Sequence, residues 1–204
     1  MKQLHRPDLY AWSDFDEARN IDFHSYCWRR PEGNLVFDPL PLSPHDATHL
    51  QSLGPVKAIL ISNSDHVRAA LELAQSSGAE IWGPAGERDS LSVPCQRWLS
   101  DGDEPVAGLK VYALEGSKTP GELAFVLENS TLISGDLIRA HAGGSLCLLP
   151  DAKLGNKTLA QASVRRLVSE IDVTAVLPGD GWPIFRAGQA ALQELAGSWP
   201  ETDF

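Results

Sequence analysis

Apolar residues recur along the chain in two spacings, which predict alternating strands and helices. Short apolar runs bounded by turn residues predict strands, and these runs cover residues 21–28, 35–37, 58–61, 109–114, 123–127, 131–133 and 173–177. The run at 58–61 contains no polar residue, which is typical of a strand covered on both faces. The runs at 123–127 and 131–133 predict a hairpin with Glu128 and Asn129 in its turn.

A spacing of three and four residues between apolar positions predicts helices. One helix face is indicated by four residues at i, i+3, i+4 and i+7, namely Val67, Ala70, Leu71 and Ala74. Gly78 is a suitable end for this helix. Two further helices are predicted at 159–168 and 187–196. Helices beside antiparallel hairpins indicate an α+β protein with two sheet-like layers covered by helices.

Length, composition and charge then limit the classes of protein. With 204 residues, we expect a single domain over residues 1–204. Hydrophobic residues make up 43% and charged residues 22%, which is ordinary for a globular chain. The net charge of -10 disfavours a nucleic-acid or anionic-membrane surface. The N-terminus lacks the apolar stretch of a secretory signal and the three cysteines show no paired spacing, so we expect a reducing cytoplasm.

Four polar segments lie beside predicted strands and hold most of the reactive side chains. They cover residues 61–66, 116–122, 134–136 and 177–182. Each segment alone has an ordinary interpretation, since Ser64 and Asp65 are good helix N-caps and Thr119-Pro120-Gly121 favours a type II turn. Because all four place a carboxylate, imidazole or amine at a strand end, together they favour a functional site.

In their order, these segments resemble the motifs of the metallo-β-lactamase superfamily. Asp38 matches the early aspartate of that family, and Asp65-His66 matches the end of its histidine-rich motif. Segments 118–121, 135–136 and 178–181 match its later motifs. The resemblance spans about residues 20–185 and is greatest to small bacterial proteins labelled metal-dependent hydrolases. It implies an αββα four-layer sandwich of the α+β class.

The resemblance also implies that one of the two metal sites of the family is lost. Ile61, Asn63 and Lys118 stand where the family has histidine ligands. Isoleucine has no lone pair to donate and a neutral amide is a poor zinc ligand. Lysine repels the cation, by about 8 kcal/mol for charges about 4 Å apart at an effective dielectric near 20. We therefore expect at most one metal ion.

The ligands of the second site are matched by one imidazole and three carboxylates, namely Asp65, His66, Asp136 and Asp180. This set suits one divalent ion, with zinc, iron or manganese as candidates and magnesium also compatible with oxygen ligands. Asp65 would orient or deprotonate a water and Lys118 would stabilise an oxyanion, which makes both candidate catalytic residues. The resemblance thus implies a hydrolase of a small ester, thioester or amide.

A metal-free alternative stays open. The ammonium of Lys118 would then neutralise Asp65 and Asp136, leaving a catalytically silent site that only binds a ligand or partner. In either case we expect a small-molecule substrate or ligand, no nucleic-acid or membrane partner, and a monomer or homodimer.

Residues near the last two motifs are harder to assign. The glycine-containing segment 139–144 is expected to be a solvated loop. The alternative that Arg139 or His141 binds an anionic group or serves as a metal ligand stays open. Trp182 is expected to pack against its own loop.

Overall fold

The computed structural model describes residues 1–200, and the chain divides into two compact units. The first unit is Met1–Leu99, and the second begins at Ser100. The single domain expected from the chain length stays a prediction. Within residues 1–200, every helix is too short or too polar to cross a membrane.

The first unit is built on a seven-stranded sheet whose strands follow chain order. These are β1 (Lys2–Gln3), β2 (Leu9–Asp16), β3 (Ile21–Trp28), β4 (Asn34–Phe37), β5 (Val56–Leu60), β6 (Glu80–Pro84) and β7 (Arg97–Leu99). Strands β1 to β4 pair antiparallel and β4 to β7 pair parallel. The parallel crossovers after β4 and β5 contain α1 (Pro44–Ser52) and α2 (Ala70–Ser77).

Parallel pairing brings the first set of candidate residues to one sheet edge. Phe37 of β4 lies opposite Leu60 of β5, so both strands end together. The next residue on β4, Asp38, donates its backbone N–H to the Leu60 carbonyl at 3.0 Å. Asp38 and the segment 61–66 therefore leave the sheet side by side.

The second unit holds a four-stranded sheet, a two-stranded ribbon and two helices. The sheet has the order β13-β10-β9-β8, with β8 (Leu109–Ala113), β9 (Leu123–Leu127), β10 (Thr131–Ser134) and β13 (Ala175–Pro178). The ribbon consists of β11 (Ile138–Ala142) and β12 (Ser145–Leu148), and the helices are α3 (Lys157–Glu170) and α4 (Gly188–Gly197). Since β10 and β13 are parallel, the segments after them also leave one edge together.

Most predicted elements are present, and the largest shift of a start is in the helix predicted from Val67. The hairpin of β9 and β10 is confirmed, with Glu128 and Asn129 at φ 48° and 50°, the left-handed pair of a tight hairpin turn. The helix expected from Val67 begins only at Ala70. Its predicted first turn is interrupted because Arg68 has φ 42°, which no right-handed helix allows.

The loop expected at 139–144 is instead part of the β11–β12 ribbon. Arg139 lies opposite Cys147, and Gly143 and Gly144 form the turn. Ala140 also bonds to the segment after β13, since its N–H donates to the Asp180 carbonyl at 3.2 Å and its carbonyl accepts from Trp182 at 2.8 Å. This pairing with a distant segment has no local signature in the sequence.

Gly181 provides a test of that close contact. Its φ is +92°, and a Cβ there would lie 2.0 Å from the Ala140 carbonyl oxygen. Gly144 has a similar φ of +82° with nothing within 4 Å of such an atom. We expect Gly144→Ala to lower the free energy of unfolding by about 1–2 kcal/mol and Gly181→Ala by about 1–3 kcal/mol more, measured by urea denaturation. Equal losses would contradict the contact.

Candidate active site

A buried carboxylate holds the turn that carries His66. Asp38 is 3% exposed, and its Oδ1 accepts the Ser62 backbone N–H at 2.7 Å. Its Oδ2 accepts the Ser62 hydroxyl at 2.6 Å and lies 2.9 Å from His66 Nδ1. The carboxylate thus ties together the end of β4 and the segment after β5.

Two residues of this group have a left-handed backbone, which is unfavourable for a side chain other than glycine. Asp38 has φ 46° and Arg68 has φ 42°. The Asp38 carbonyl accepts the Ser25 hydroxyl at 2.6 Å and Arg68 Nη1 at 3.2 Å, and Nη1 also donates to the His24 carbonyl at 2.8 Å. These hydrogen bonds hold both residues in their strained conformation.

Arg68 also determines which nitrogen of His66 carries the proton. Arg68 Nη2 lies 3.3 Å from His66 Nε2, and because a guanidinium can only donate, a hydrogen bond at this contact places the lone pair on Nε2. The proton then lies on Nδ1, which donates to Asp38. Metal-binding histidines commonly have one ring nitrogen bonded to a carboxylate, which leaves the lone pair on the other nitrogen. In His66 that lone pair contacts Arg68.

The charge of Asp38 is stabilised by the same neighbours. Burial alone would raise the pKa of Asp38, but the His66 ring, the Arg68 guanidinium and the Ser62 hydroxyl together hold that pKa below its usual range. Asp38 is therefore an ionised carboxylate at neutral pH and a strong acceptor for Nδ1. The sequence motif contained Asp38 but did not reveal this role.

The other residues of the histidine-rich segment are arranged differently. Asp65 is exposed on the short 3₁₀ helix that also carries His66. Asn63 uses its amide locally, since Oδ1 accepts the Asp65 N–H at 3.0 Å and Nδ2 lies 3.4 Å from the Ser62 hydroxyl. Ile61 is fully buried in the core of the first unit. Neither Ile61 nor Asn63 is therefore arranged to ligate an ion.

The second unit contributes two buried carboxylates at the ends of β10 and β13. A carboxylate oxygen of Asp136 lies within 4.8 Å of one of Asp180, and both side chains are buried. Ser134 lies opposite Pro178, and its carbonyl accepts the Gly179 N–H at 2.8 Å. Two carboxylates this close and this buried require positive charge or a shared proton.

Part of that positive charge comes from Arg139 on β11. The guanidinium is 7% exposed and its Nη2 donates to Asp180 Oδ2 in a buried ion pair. Its Nε is buried with no hydrogen-bond partner among residues 1–200. The sequence raised Arg139 only as an anion-binding group or a ligand, because the partner is 41 residues away along the chain.

Lys118 lies exposed in the turn before β9. Buried Glu122 fixes this turn, since its Oε2 accepts the Ser117 hydroxyl at 2.5 Å and its Oε1 accepts the Leu137 N–H at 2.6 Å. The hydroxyl oxygen of Thr119 is buried without a hydrogen-bond partner among residues 1–200. Glu122 therefore ties the Lys118 turn to the segment that follows β10, a role that the sequence pattern did not indicate.

Two side chains near the last motif are solvent-exposed. Trp182, expected to pack against its loop, is 59% exposed. His141 on β11 is also exposed. Both remain accessible to a ligand at this end of the second unit.

Asp38→Asn tests the tautomer of His66. In Asp38→Asn, the amide NH₂ would replace one carboxylate oxygen and face a group that now donates to it. A hydrogen bond to a charged group contributes about 1.5–3 kcal/mol to stability. We expect a loss of unfolding free energy of that size, and ¹⁵N NMR shifts of the parent protein that place the His66 proton on Nδ1. Asp14→Asn, at an exposed position of β2, is the control for stability. A parent protein with the His66 proton on Nε2 would contradict the assignment.

Known proteins share the fold of this chain. A family model described as the metallo-beta-lactamase superfamily matches residues 1–199. The solved DIM-1 metallo-beta-lactamase is similar at 13% identity, with a TM-score of 0.73 over 95% of this chain and 94% of that one.

Two further solved structures are similar to the chain. A metallo-beta-lactamase from Erythrobacter litoralis, with beta mercaptoethanol in its active site, gives 14% identity and a TM-score of 0.74 over 97% and 96% of the two chains. BLEG-1, a B3 metallo-beta-lactamase, is 16% identical to the chain, with a TM-score of 0.68 over 91% of this chain and 97% of that one. None of the curated proteins compared with the chain matches it. The expected α+β fold of the metallo-β-lactamase type is confirmed, and the chain belongs to the metallo-β-lactamase superfamily.

Proposed function

We propose that the protein is a hydrolase that binds at most one divalent metal ion and cleaves a small ester, thioester or amide. Members of this superfamily typically bind divalent metal ions. The observation that carries the proposal is the position of the His66 ring, whose Nδ1 lies 2.9 Å from Asp38 and whose Nε2 lies 3.3 Å from Arg68, contacts that assign the lone pair to Nε2. A histidine prepared in this way is suited to bind a metal ion.

The donor set fits one ion. In this proposal the ion is held by the residues at the matching family positions, His66, Asp136 and Asp180, which are buried and each have an atom that can ligate. One imidazole nitrogen with carboxylate oxygens suits zinc, iron or manganese.

A second ion does not fit. The side chain of Ile61 has no donor atom and lies in the core. The amide of Asn63 is occupied by Asp65 and Ser62. The third family position holds Lys118, whose ammonium would repel a cation.

The residues of this chain then have separate roles in hydrolysis. A bound divalent ion would supply a nucleophile near neutral pH by making a coordinated water more acidic. Asp65 was also predicted as a ligand, but because it is exposed while the other three residues are buried, we assign it the role of accepting the proton from the water. Lys118, exposed in its turn, would donate to the oxyanion that develops on the substrate.

A second candidate is a metal-free site that only binds a ligand or partner. Arg68 and Arg139 favour it, because their guanidinium groups already contact His66 Nε2 and Asp180. The sequence assigned the neutralising role to Lys118 instead.

Metal content separates the two candidates. We expect elemental analysis of protein purified without chelator or added metal to find no more than one ion per chain, and none in His66→Ala or Asp136→Ala. His45→Ala, which removes an exposed histidine of α1, should keep the metal of the parent. Two ions per chain would contradict the proposal, and a metal-free parent would favour the second candidate.

Lys118→Ala tests the assigned catalytic role. Loss of one oxyanion donor lowers kcat about 10²-fold in known cases, so we expect a fall of that order against a panel of nitrophenyl esters and thioesters, with metal content unchanged. Lys153→Ala, at another exposed position, is the control.

A different result in the same variant would support the metal-free candidate. If Lys118 neutralises the carboxylates, Lys118→Ala should melt at a lower temperature in metal-free buffer, and added divalent metal should restore the loss. An unchanged kcat would contradict the role of Lys118 in hydrolysis.

A further inference from the structure

We propose that Arg139 is an internal cation that occupies Asp180 when no metal is bound, and that a divalent ion must displace it to bind. This inference rests on the proposed metal site and identifies a residue that sets its affinity. The metal ion and the arginine side chain would then be cations that compete for one carboxylate.

The contact between Arg139 and Asp180 is supported by the surrounding backbone. Arg139 is paired with Cys147 across the ribbon. The next residue, Ala140, bonds to the Asp180 carbonyl and to the Trp182 N–H. Because the backbone of β11 is fixed against the segment after β13, the guanidinium is presented to Asp180 at close range, and both side chains are buried.

The charges explain why a divalent ion would replace the guanidinium. Asp136 and Asp180 carry two negative charges within 4.8 Å, and Arg139 adds a single positive charge. The formal sum for these three groups is -1, so one guanidinium neutralises only half of the carboxylate charge. A divalent ion would neutralise both carboxylates, but it would repel the guanidinium if both stayed at Asp180.

The free Nε of Arg139 indicates that its present position is not fully satisfied. This N–H is buried without a hydrogen-bond partner among residues 1–200, and an unmade buried hydrogen bond is unfavourable. A guanidinium that moved away from Asp180 could bond elsewhere through all its donors. The unsatisfied Nε therefore makes the present position of the guanidinium less favourable, which reduces the free energy that a metal ion must supply to displace it.

Calorimetric titration of the chelator-treated protein with Zn²⁺ and with Mn²⁺ tests the exchange. Arg139→Met removes the competing charge at similar length, and we expect it to bind metal at least about fivefold more tightly than the parent, the lower end of typical coupling between ligands. Arg186→Met changes the net charge equally at an exposed position and should bind as the parent does. Arg139→Gln keeps an N–H donor for Asp180, so it can replace Arg139→Met if that variant does not fold.

Chemical rescue provides a second readout. Arg139→Ala leaves space for a guanidinium ion, so added guanidinium, well below denaturing concentrations, should weaken metal binding by this variant and leave the parent unaffected. A purely structural role for Arg139 would not produce this competition.

The outcomes separate this inference from the proposed function. Equal or weaker metal binding by Arg139→Met and Arg139→Gln, with a parent that binds metal, would overturn the inference and leave the proposed function standing. Metal binding by the variants alone would support the inference and contradict a metal-bound parent. No binding by any form would overturn both.

Discussion

The bond between the Asp38 carboxylate and the His66 ring is the interaction on which the chemistry of the first unit depends. It requires the parallel pairing of β4 and β5, which ends both strands at one edge, and a left-handed backbone at Asp38. Once the ionised carboxylate is buried there, every neighbour must donate to it, and Ser62 and His66 do so. The lone pair on His66 Nε2 follows from that requirement together with the donor at Arg68.

The second unit meets the same physical constraint with a different solution. Its two buried carboxylates also follow strands that end at one edge, but the nearest counter-charge is a guanidinium from the neighbouring ribbon. Burying charge without a partner is strongly unfavourable, so each unit carries an arginine that contacts its candidate ligand. His66 and Asp180 therefore each contact a guanidinium group in the protein itself.

The parts of this arrangement that depend on neighbouring residues could be predicted from the sequence. The hairpin of β9 and β10, the buried strand β5 and the polar segments at the strand ends were all predicted from local patterns and confirmed. Helix α1 gave too weak a pattern, because Leu50 is its only buried residue among those described. The Ser43 cap and Pro44 were the signals that could have located it.

The contacts that define the candidate site could not be predicted in this way. The Asp38 to His66 bond spans 28 residues and the Arg139 to Asp180 pair spans 41, and periodicity carries no information on such distances. Motif matching located Asp38, His66 and Asp180 but not the contacts between them, and the donors at Arg68 and Arg139 are outside the motifs. Their importance depends on burial and geometry, which only the folded chain shows.

The central claim is that one divalent ion is held by His66, Asp136 and Asp180 in exchange for Arg139. Anomalous diffraction from crystals soaked in Zn²⁺ tests it most directly. The account predicts a single anomalous peak, about 2.0–2.2 Å from His66 Nε2 and from carboxylate oxygens of both aspartates, with the Arg139 guanidinium moved away from Asp180. Two peaks, or no peak with the Arg139 to Asp180 pair intact, would contradict it.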